Sequence, residues 1–227
     1  MKAMILAAGR GQRMAPLTDH CPKPLLPLAG KPLIEYQLGK LAAAGFREIV
    51  INHAYLGHMI EQTLGDGSRW GLQIIYSAET EALETAGGIR KALPLLGDQP
   101  FLLVNGDVWT NWSYCVSSAV LKPGLLAHLW LVENPQHNPD GDFVLHDERL
   151  LARQAGQRGL TFSGLSLIDP ALLRDYPEGH LALAPVLRTA MADLRVSGAV
   201  LPASWVDVGT PQRLYDLEQQ LIKEQHA

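Results

Sequence analysis

Four ionisable side chains, far apart along the chain, define the chemistry this sequence offers: Arg13, Lys23, Asp107 and Asp207. The first two stand near a short apolar run, Ala3-Met4-Ile5-Leu6, of the kind that forms a buried strand. Ala7-Ala8-Gly9-Arg10-Gly11-Gln12-Arg13-Met14 follows directly. Small residues and glycines let this backbone turn sharply, so that the N–H groups around Ala8, Gly9, Gly11 and Gln12 aim into one concavity suited to phosphate oxygens. Arg13 adds a planar fork and Lys23 a compact point charge. Pro22 and Pro24 fix φ on either side of Lys23 and predict an extended frame for it. The glycines form neither a P-loop, because no Gly-Lys-Ser/Thr follows, nor a dinucleotide fingerprint, because position 14 is Met. Taken alone, such a turn is as often only a turn. With two flanking cations it reads as a polyphosphate site at the carboxyl end of the first strand.

The two acids have a shared logic. Asn105-Gly106-Asp107 follows the apolar strand Phe101–Val104 and points an acid into the crevice, unless it serves only as a turn cap. In Trp205-Val206-Asp207-Val208-Gly209-Thr210-Pro211, Asp207 ends an apolar strand and Gly209 permits a tight turn into the next helix. Carboxylates a hundred residues apart can still meet at one sheet edge. With triphosphate oxygens they would supply the hard ligands that Mg²⁺ takes. Glu84-Thr85-Ala86-Gly87-Gly88 reads as a second glycine-containing loop, in which Thr85 offers a hydroxyl and the backbone up to Gly88 can lie close to a flat ring.

Positioning these residues requires alternating strands and helices. Strands are expected over 48–52, 72–77, 101–104, 125–132, 143–145, 160–168 and 195–201, with those at 143–145 and 160–168 antiparallel to their neighbours. Helices are expected over 33–44, 56–64, 89–93, 112–120, 183–192 and 212–224. His53 and Tyr55 fall in a loop. The pattern predicts an α/β fold: a mixed, mostly parallel sheet with helices on both faces, as one domain over 1–227. Ligands in such sheets bind beyond the carboxyl ends of strands, so the loops at 7–23, 79–88, 105–112 and 205–211 are candidates for one site.

Composition narrows the function. With 227 residues, 47% apolar, the chain can bury a sizeable core, and a net charge of −4 without a basic block argues against a nucleic-acid surface. No apolar run is long enough to span a bilayer. The opening strand does not read as a signal peptide, and Cys21 and Cys115 read as reduced thiols of a cytoplasmic protein.

Leu6-Ala7-Ala8-Gly9, Gly11, Arg13-Met14, Pro16-Leu17-Thr18, Pro22-Lys23-Pro24-Leu25, Pro32-Leu33-Ile34, Thr85-Ala86-Gly87, Asn105-Gly106-Asp107, Ser163-Gly164 and Asp207-Val208-Gly209-Thr210 together resemble the sugar-1-phosphate nucleotidyltransferase family. The resemblance runs over essentially the whole chain. It implies a Rossmann-like, GT-A-like fold in which a sugar 1-phosphate attacks the α-phosphorus of a nucleoside triphosphate and displaces pyrophosphate. Arg13 and Lys23 would be catalytic, holding the leaving and reacting phosphates, and Asp107 and Asp207 would bind Mg²⁺. Asn134-Pro135-Gln136-His137-Asn138-Pro139-Asp140-Gly141-Asp142-Phe143 is similar to a segment of the family's short branch that acts on N-acetylmuramate 1-phosphate with UTP, in cell-wall recycling. The absence of a β-helix seen in longer members is compatible with a monomer.

The resemblance also places Glu79 where the family reads the base. Guanine and uracil both offer donors to a carboxylate, and Glu79 is equally readable as a solvated loop acid, so GTP stays open beside UTP. Asn105 and Gly141 are the expected sugar contacts. The family's Glu-Lys-Pro segment reads Leu151-Ala152-Arg153-Gln154-Ala155-Gly156 here, leaving Gln154 or Arg153 as substitutes or as plain surface residues. The rival expectations are a mannose-1-phosphate guanylyltransferase, a glucose-1-phosphate uridylyltransferase, or a nucleotide-sensing protein that does not turn over.

Overall fold

Along the first strand, side chains alternate between two apolar layers: Ala3 and Ile5 pack on one face of the sheet and Met4 on the other. A computed structural model of the protein describes residues 1–114 and 120–225. Its strands are β1 (Ala3–Leu6), β2 (Pro27–Leu28), β3 (Lys31–Pro32), β4 (Glu48–His53), β5 (Gln73–Ala78), β6 (Phe101–Asn105), β7 (Val108–Thr110), β8 (Ala127–Val132), β9 (Phe143–His146), β10 (Arg149–Ala152), β11 (Thr161–Ile168), β12 (Val196–Val200) and β13 (Trp205–Asp207). The helices are α1 (Leu33–Ala43), α2 (Gly57–Leu64), α3 (Glu84–Leu96), α4 (Leu183–Ala192) and α5 (Pro211–Gln225).

The main sheet has nine strands in the order β5-β4-β1-β6-β11-β8-β12-β10-β9. Only β11 and β10 run against the other strands of this sheet, so it is mixed and mostly parallel, as the alternation of elements predicts. Helices α1 and α2 cover one face, where Ile34, Leu38 and Ile60 meet Ile5, Ile49 and Ile51. Helices α3 and α4 cover the other, where Ile89 and Val186 meet Met4, Val50 and Leu103. Each fully buried Ile or Leu contributes about 1.5–3 kcal/mol relative to exposure. A third apolar cluster joins Leu214 and Leu217 of α5 to Met14, Leu28, Trp109 and Val208. It fastens the turn after β1 to the last helix.

Several expectations are corrected. His53 is the last residue of β4, buried, with its Nε2 2.7 Å from Glu61 Oε1, and not a loop residue. Helix α3 begins at Glu84, so Thr85 to Gly88 form its first turns and not a loop. The glycines there serve close packing. A Cβ on Gly87 would lie 2.1 Å from the Gly179 carbonyl oxygen, and one on Gly88 would lie 2.7 Å from both Asn52 Nδ2 and Glu79 Oε1. Lys23 opens a 3₁₀ turn over Lys23–Leu25 after an extended Pro22, because a proline in a first turn forfeits only an N–H that would be unpaired anyway. Strand β10 was not expected. The helix expected over 112–120 falls largely outside the described residues, as does Cys115; residues 112–114 carry no regular structure.

Candidate active site

The turn after β1 is held open by its neighbours. Gly106 N–H donates to Leu6 O at 2.9 Å, and Ala7 N–H donates to Asn52 Oδ1 at 3.0 Å. Gly11 adopts φ +67°, a left-handed conformation that glycine takes without a steric penalty. A Cβ there would also lie 3.1 Å from Thr18 Cγ2 and 3.2 Å from Lys23 Cβ. Thr18 Oγ1 donates to Gly11 O at 2.9 Å, and the Arg10 guanidinium donates to Thr18 O at 2.9 Å. Residues 12–14 then form a 3₁₀ turn that leaves Gln12 and Arg13 exposed and Met14 buried.

Beyond this turn lies a cavity of about 590 Å³. Ala8, Gly9, Gly11, Gln12, Arg13, Lys23, Thr85, Asn105 and Asp107 all line it. Its size is ordinary for a small-molecule site. The Lys23 ammonium is 2.6 Å from Asp107 Oδ2, an ion pair with the lysine only 8% exposed. Helix α3 starts at the cavity wall, where Glu84 and Thr85 line it, while the Gly87 N–H of its first turn donates to Leu181 O at 3.0 Å.

Asp207 reaches the same place through a two-stranded ribbon. Strands β7 and β13 pair antiparallel with Asp207 opposite Val108, and Val208 N–H donates to Asp107 O at 2.9 Å. Asp107 and Asp207, with Arg13, Asn105, Asn138, Thr161 and His137, line a second hollow of about 340 Å³ that continues from the first. A Cβ on Gly209 would lie 2.4 Å from an Arg213 guanidinium nitrogen, 2.8 Å from Asp207 Oδ1 and 3.2 Å from an Arg13 guanidinium nitrogen, so a side chain there would push these groups apart. Among the described residues no third His, Cys, Asp or Glu joins the pair as a metal cluster. The donor set fits an ion that takes one or two carboxylates and fills the rest of its shell with phosphate oxygens and water, which is the habit of Mg²⁺.

A scan of family profiles matches residues 2–122 to the family described as Nucleotidyl transferase. The chain is 55% identical to N-acetylmuramate alpha-1-phosphate uridylyltransferase of Neisseria meningitidis, over 96% of this chain and 97% of that protein. It is 34% identical to the protein of the same name from Caulobacter vibrioides, over 97% of each. The chain belongs to the nucleotidyl transferase family. Among solved structures, a putative glucose-1-phosphate thymidylyltransferase from Bacillus anthracis shares the fold with a TM-score of 0.84 at 19% identity, covering 97% of this chain and 94% of that one.

Within this nucleotidyl transferase, some expected site residues stand apart from the cavity. Glu79 is 6% exposed; its Oε1 accepts from Asn52 Nδ2 at 2.7 Å and its Oε2 from Leu83 N–H at 3.0 Å. It braces the ends of β4 and β5 against the start of α3, and is neither solvated nor turned to the cavity. Gly88 packs against that same pair. Gly141 is buried at φ +72° and closes the 134–143 loop. Gln154 lies in the turn after β10, toward the far edge of the sheet, beside Arg188 and Met191. The segment holding it belongs to a hairpin that the strand order carries away from β1, which composition gives no means of foreseeing.

Three residues escaped the sequence reading. Asn52 supplies the acceptor for Ala7 N–H and lines the main cavity. His137 and Arg213 both reach Asp207: Arg213 donates to its Oδ2 at 2.9 Å, and His137 Nε2 is 3.3 Å from the same oxygen. The usable signal for Arg213 was its place in the first turn of α5, immediately after the Asp207 motif. Ser163 Oγ donates to Trp130 O at 2.7 Å within the core, and burial pushes the Cys21 thiol up, so neither is a poised nucleophile. Among the described residues no helix is long and apolar enough to cross a membrane.

Proposed function

We propose that the protein transfers a uridylyl group from UTP to N-acetylmuramate 1-phosphate, giving UDP-N-acetylmuramate and pyrophosphate. The observation that carries this reading is the convergence of Arg13, Lys23, Asp107 and Asp207 on joined hollows, in a chain whose likeness to proteins named for that reaction extends from end to end. A phosphate oxygen of the sugar phosphate forms a bond to the α-phosphorus, the α–β bridging bond breaks, and pyrophosphate leaves with the electron pair. No group on the protein is covalently modified.

Catalysis then rests on alignment and charge neutralisation. Arg13, exposed at the rim of both hollows, holds the departing phosphates and balances the charge that builds on them. Lys23, buried and steadied by Asp107, faces the α-phosphate and the incoming phosphate. Backbone N–H groups from Ala8 to Gln12 orient the triphosphate, and Asn105 takes sugar hydroxyls where the hollows join. Asp107 and Asp207 would hold Mg²⁺, which when bound supplies positive charge at the phosphate oxygens. The reading places the enzyme in the cytoplasm, where UTP is made, working as a monomer; light scattering of the purified protein tests the latter.

Pyrophosphate release across a matrix of triphosphates and sugar phosphates tests the reaction. UTP with N-acetylmuramate 1-phosphate is expected to give the highest kcat/KM. Equal or faster turnover of mannose 1-phosphate with GTP, or of glucose 1-phosphate with UTP, would overturn the substrate assignment. Tight UTP binding without turnover of any sugar phosphate would overturn the enzymatic one and leave a nucleotide sensor.

A further inference from the structure

The main cavity holds a third cation besides Arg13 and Lys23. Arg10 lines it too, but does not line the second hollow, where Arg13 recurs. The cations differ in how much of their charge is spent. Lys23 is paired with Asp107 at 2.6 Å. Arg10 NH1 donates to a neutral partner, Thr18 O, at 2.9 Å. Although Glu84 lines the same cavity, Asp19 is the one acid that Arg10 pairs with among the described residues. That pair is long, with NH2 3.8 Å from Asp19 Oδ1, and its side chains are 40% and 47% exposed. At such a distance and exposure, solvent screens most of the attraction, and the guanidinium keeps its charge for a ligand.

The Arg10 fork is held in place. It lies over the Tyr55 ring, with Cζ 3.7 Å from the ring centroid. Tyr55 is itself tied down, its hydroxyl donating to Asp19 O at 2.7 Å. Thr18, which accepts from Arg10, donates through Oγ1 to Gly11 O at 2.9 Å. The ring and the carbonyl fix the plane of the guanidinium, and most of its five N–H donors stay unused. Tyr55 follows β4, which flanks β1 on the side away from β6, and β6 leads to Asp107. Arg10 therefore leans to the side of the cavity away from the carboxylate pair. An in-line displacement needs positive charge there. With the sugar phosphate attacking from the second hollow, pyrophosphate departs across the α-phosphorus from it. We propose that Arg10, positioned by Tyr55, grips the β- and γ-phosphates of the nucleotide and balances part of the charge that pyrophosphate takes away. This rests on the reading of the main cavity as the triphosphate site.

The test compares ligands with and without the two outer phosphates. In Arg10→Gln, the dissociation constant of UTP, read by calorimetry, should rise about tenfold, while that of UMP stays within about twofold. KM for pyrophosphate in the reverse reaction, with UDP-N-acetylmuramate, should rise by a similar factor. Arg10→Lys should restore part of the loss, and Tyr55→Leu should move the same UTP-to-UMP ratio by a smaller factor. If UTP and UMP lose affinity equally, Arg10 faces the nucleoside and the inference is wrong. If neither changes, Arg10 only ties residues 15–20 to the turn, which also overturns it. The affinity ratio can be scored without turnover. A protein that binds UTP far more tightly than UMP, loses that difference in Arg10→Gln, and yet joins UTP to no sugar phosphate would sink the substrate reading and leave the grip of Arg10 standing.

Discussion

The hollow beyond the turn after β1, proposed for the triphosphate, and the second hollow, proposed for the sugar, are built by different means. At the first, one continuous stretch from Ala7 to Lys23 supplies the turn, the N–H groups and both cations, and β1 and β6 set it in place. At the second, the walls come from the 134–143 loop, from β11 and from the start of α5, brought together only by sheet order. A polyphosphate presents the same oxygens whatever it is joined to, so a short contiguous motif suffices. Sugars differ by single substituents in space, and reading them takes side chains from several elements.

Substitutions can break or sharpen this contrast. The largest effect is expected at the carboxylate pair where the ends meet. Asp107→Ala and Asp207→Ala should each lower kcat at least about a hundredfold with every sugar tried, measured as pyrophosphate release; a mild Asp207→Ala beside a dead Asp107→Ala would separate the two ends. Next is Arg13→Ala, with a loss of about a hundredfold in kcat/KM that is the same for acidic and neutral sugars. A sugar-dependent loss would move Arg13 to the sugar end.

Smaller effects test the scaffold. Gly88→Ala must fit a methyl 2.7 Å from Asn52 Nδ2 and Glu79 Oε1. It should cost about 1–3 kcal/mol and lower Tm by several degrees. Glu79→Gln turns one of two buried acceptors toward a donor, at a cost of about 1–3 kcal/mol in stability. Its KM for UTP should stay near that of the unmodified enzyme; a large rise in KM without a change in Tm would return Glu79 to a base-reading role. The smallest change is expected for Gln154→Ala, with kcat/KM within about twofold of the parent for a surface substitution.

How far the sequence could be read follows the same divide. Strands β1, β4 and β6 were legible because short continuous apolar runs bounded by turn residues suit strands buried on both faces, and the turn after β1 because its glycines and cations are contiguous. The paired aspartates were legible as strand ends, though the ribbon that joins them was not foreseen as a paired element. Glu79 looked like a loop acid because sequence carries no sign of the Asn52 amide and Leu83 N–H that enclose it. Gly87 and Gly88 looked like a loop because close approach and conformational freedom call for the same residue. His137 had no local signature, and Arg213 only its place just after the Asp207 motif: their meaning depends on Asp207, which lies 70 residues from the one and six from the other.

The β7–β13 ribbon has a consequence for how the enzyme comes into being. The turn after β1 and Asp107 are complete in sequence by residue 107, while Asp207 lies a hundred residues further on. A chain halted before Trp205 would hold the turn after β1 without the second carboxylate. The two carboxylates are brought to one place where Trp205–Asp207 pairs with Val108–Thr110 and α5 packs behind it.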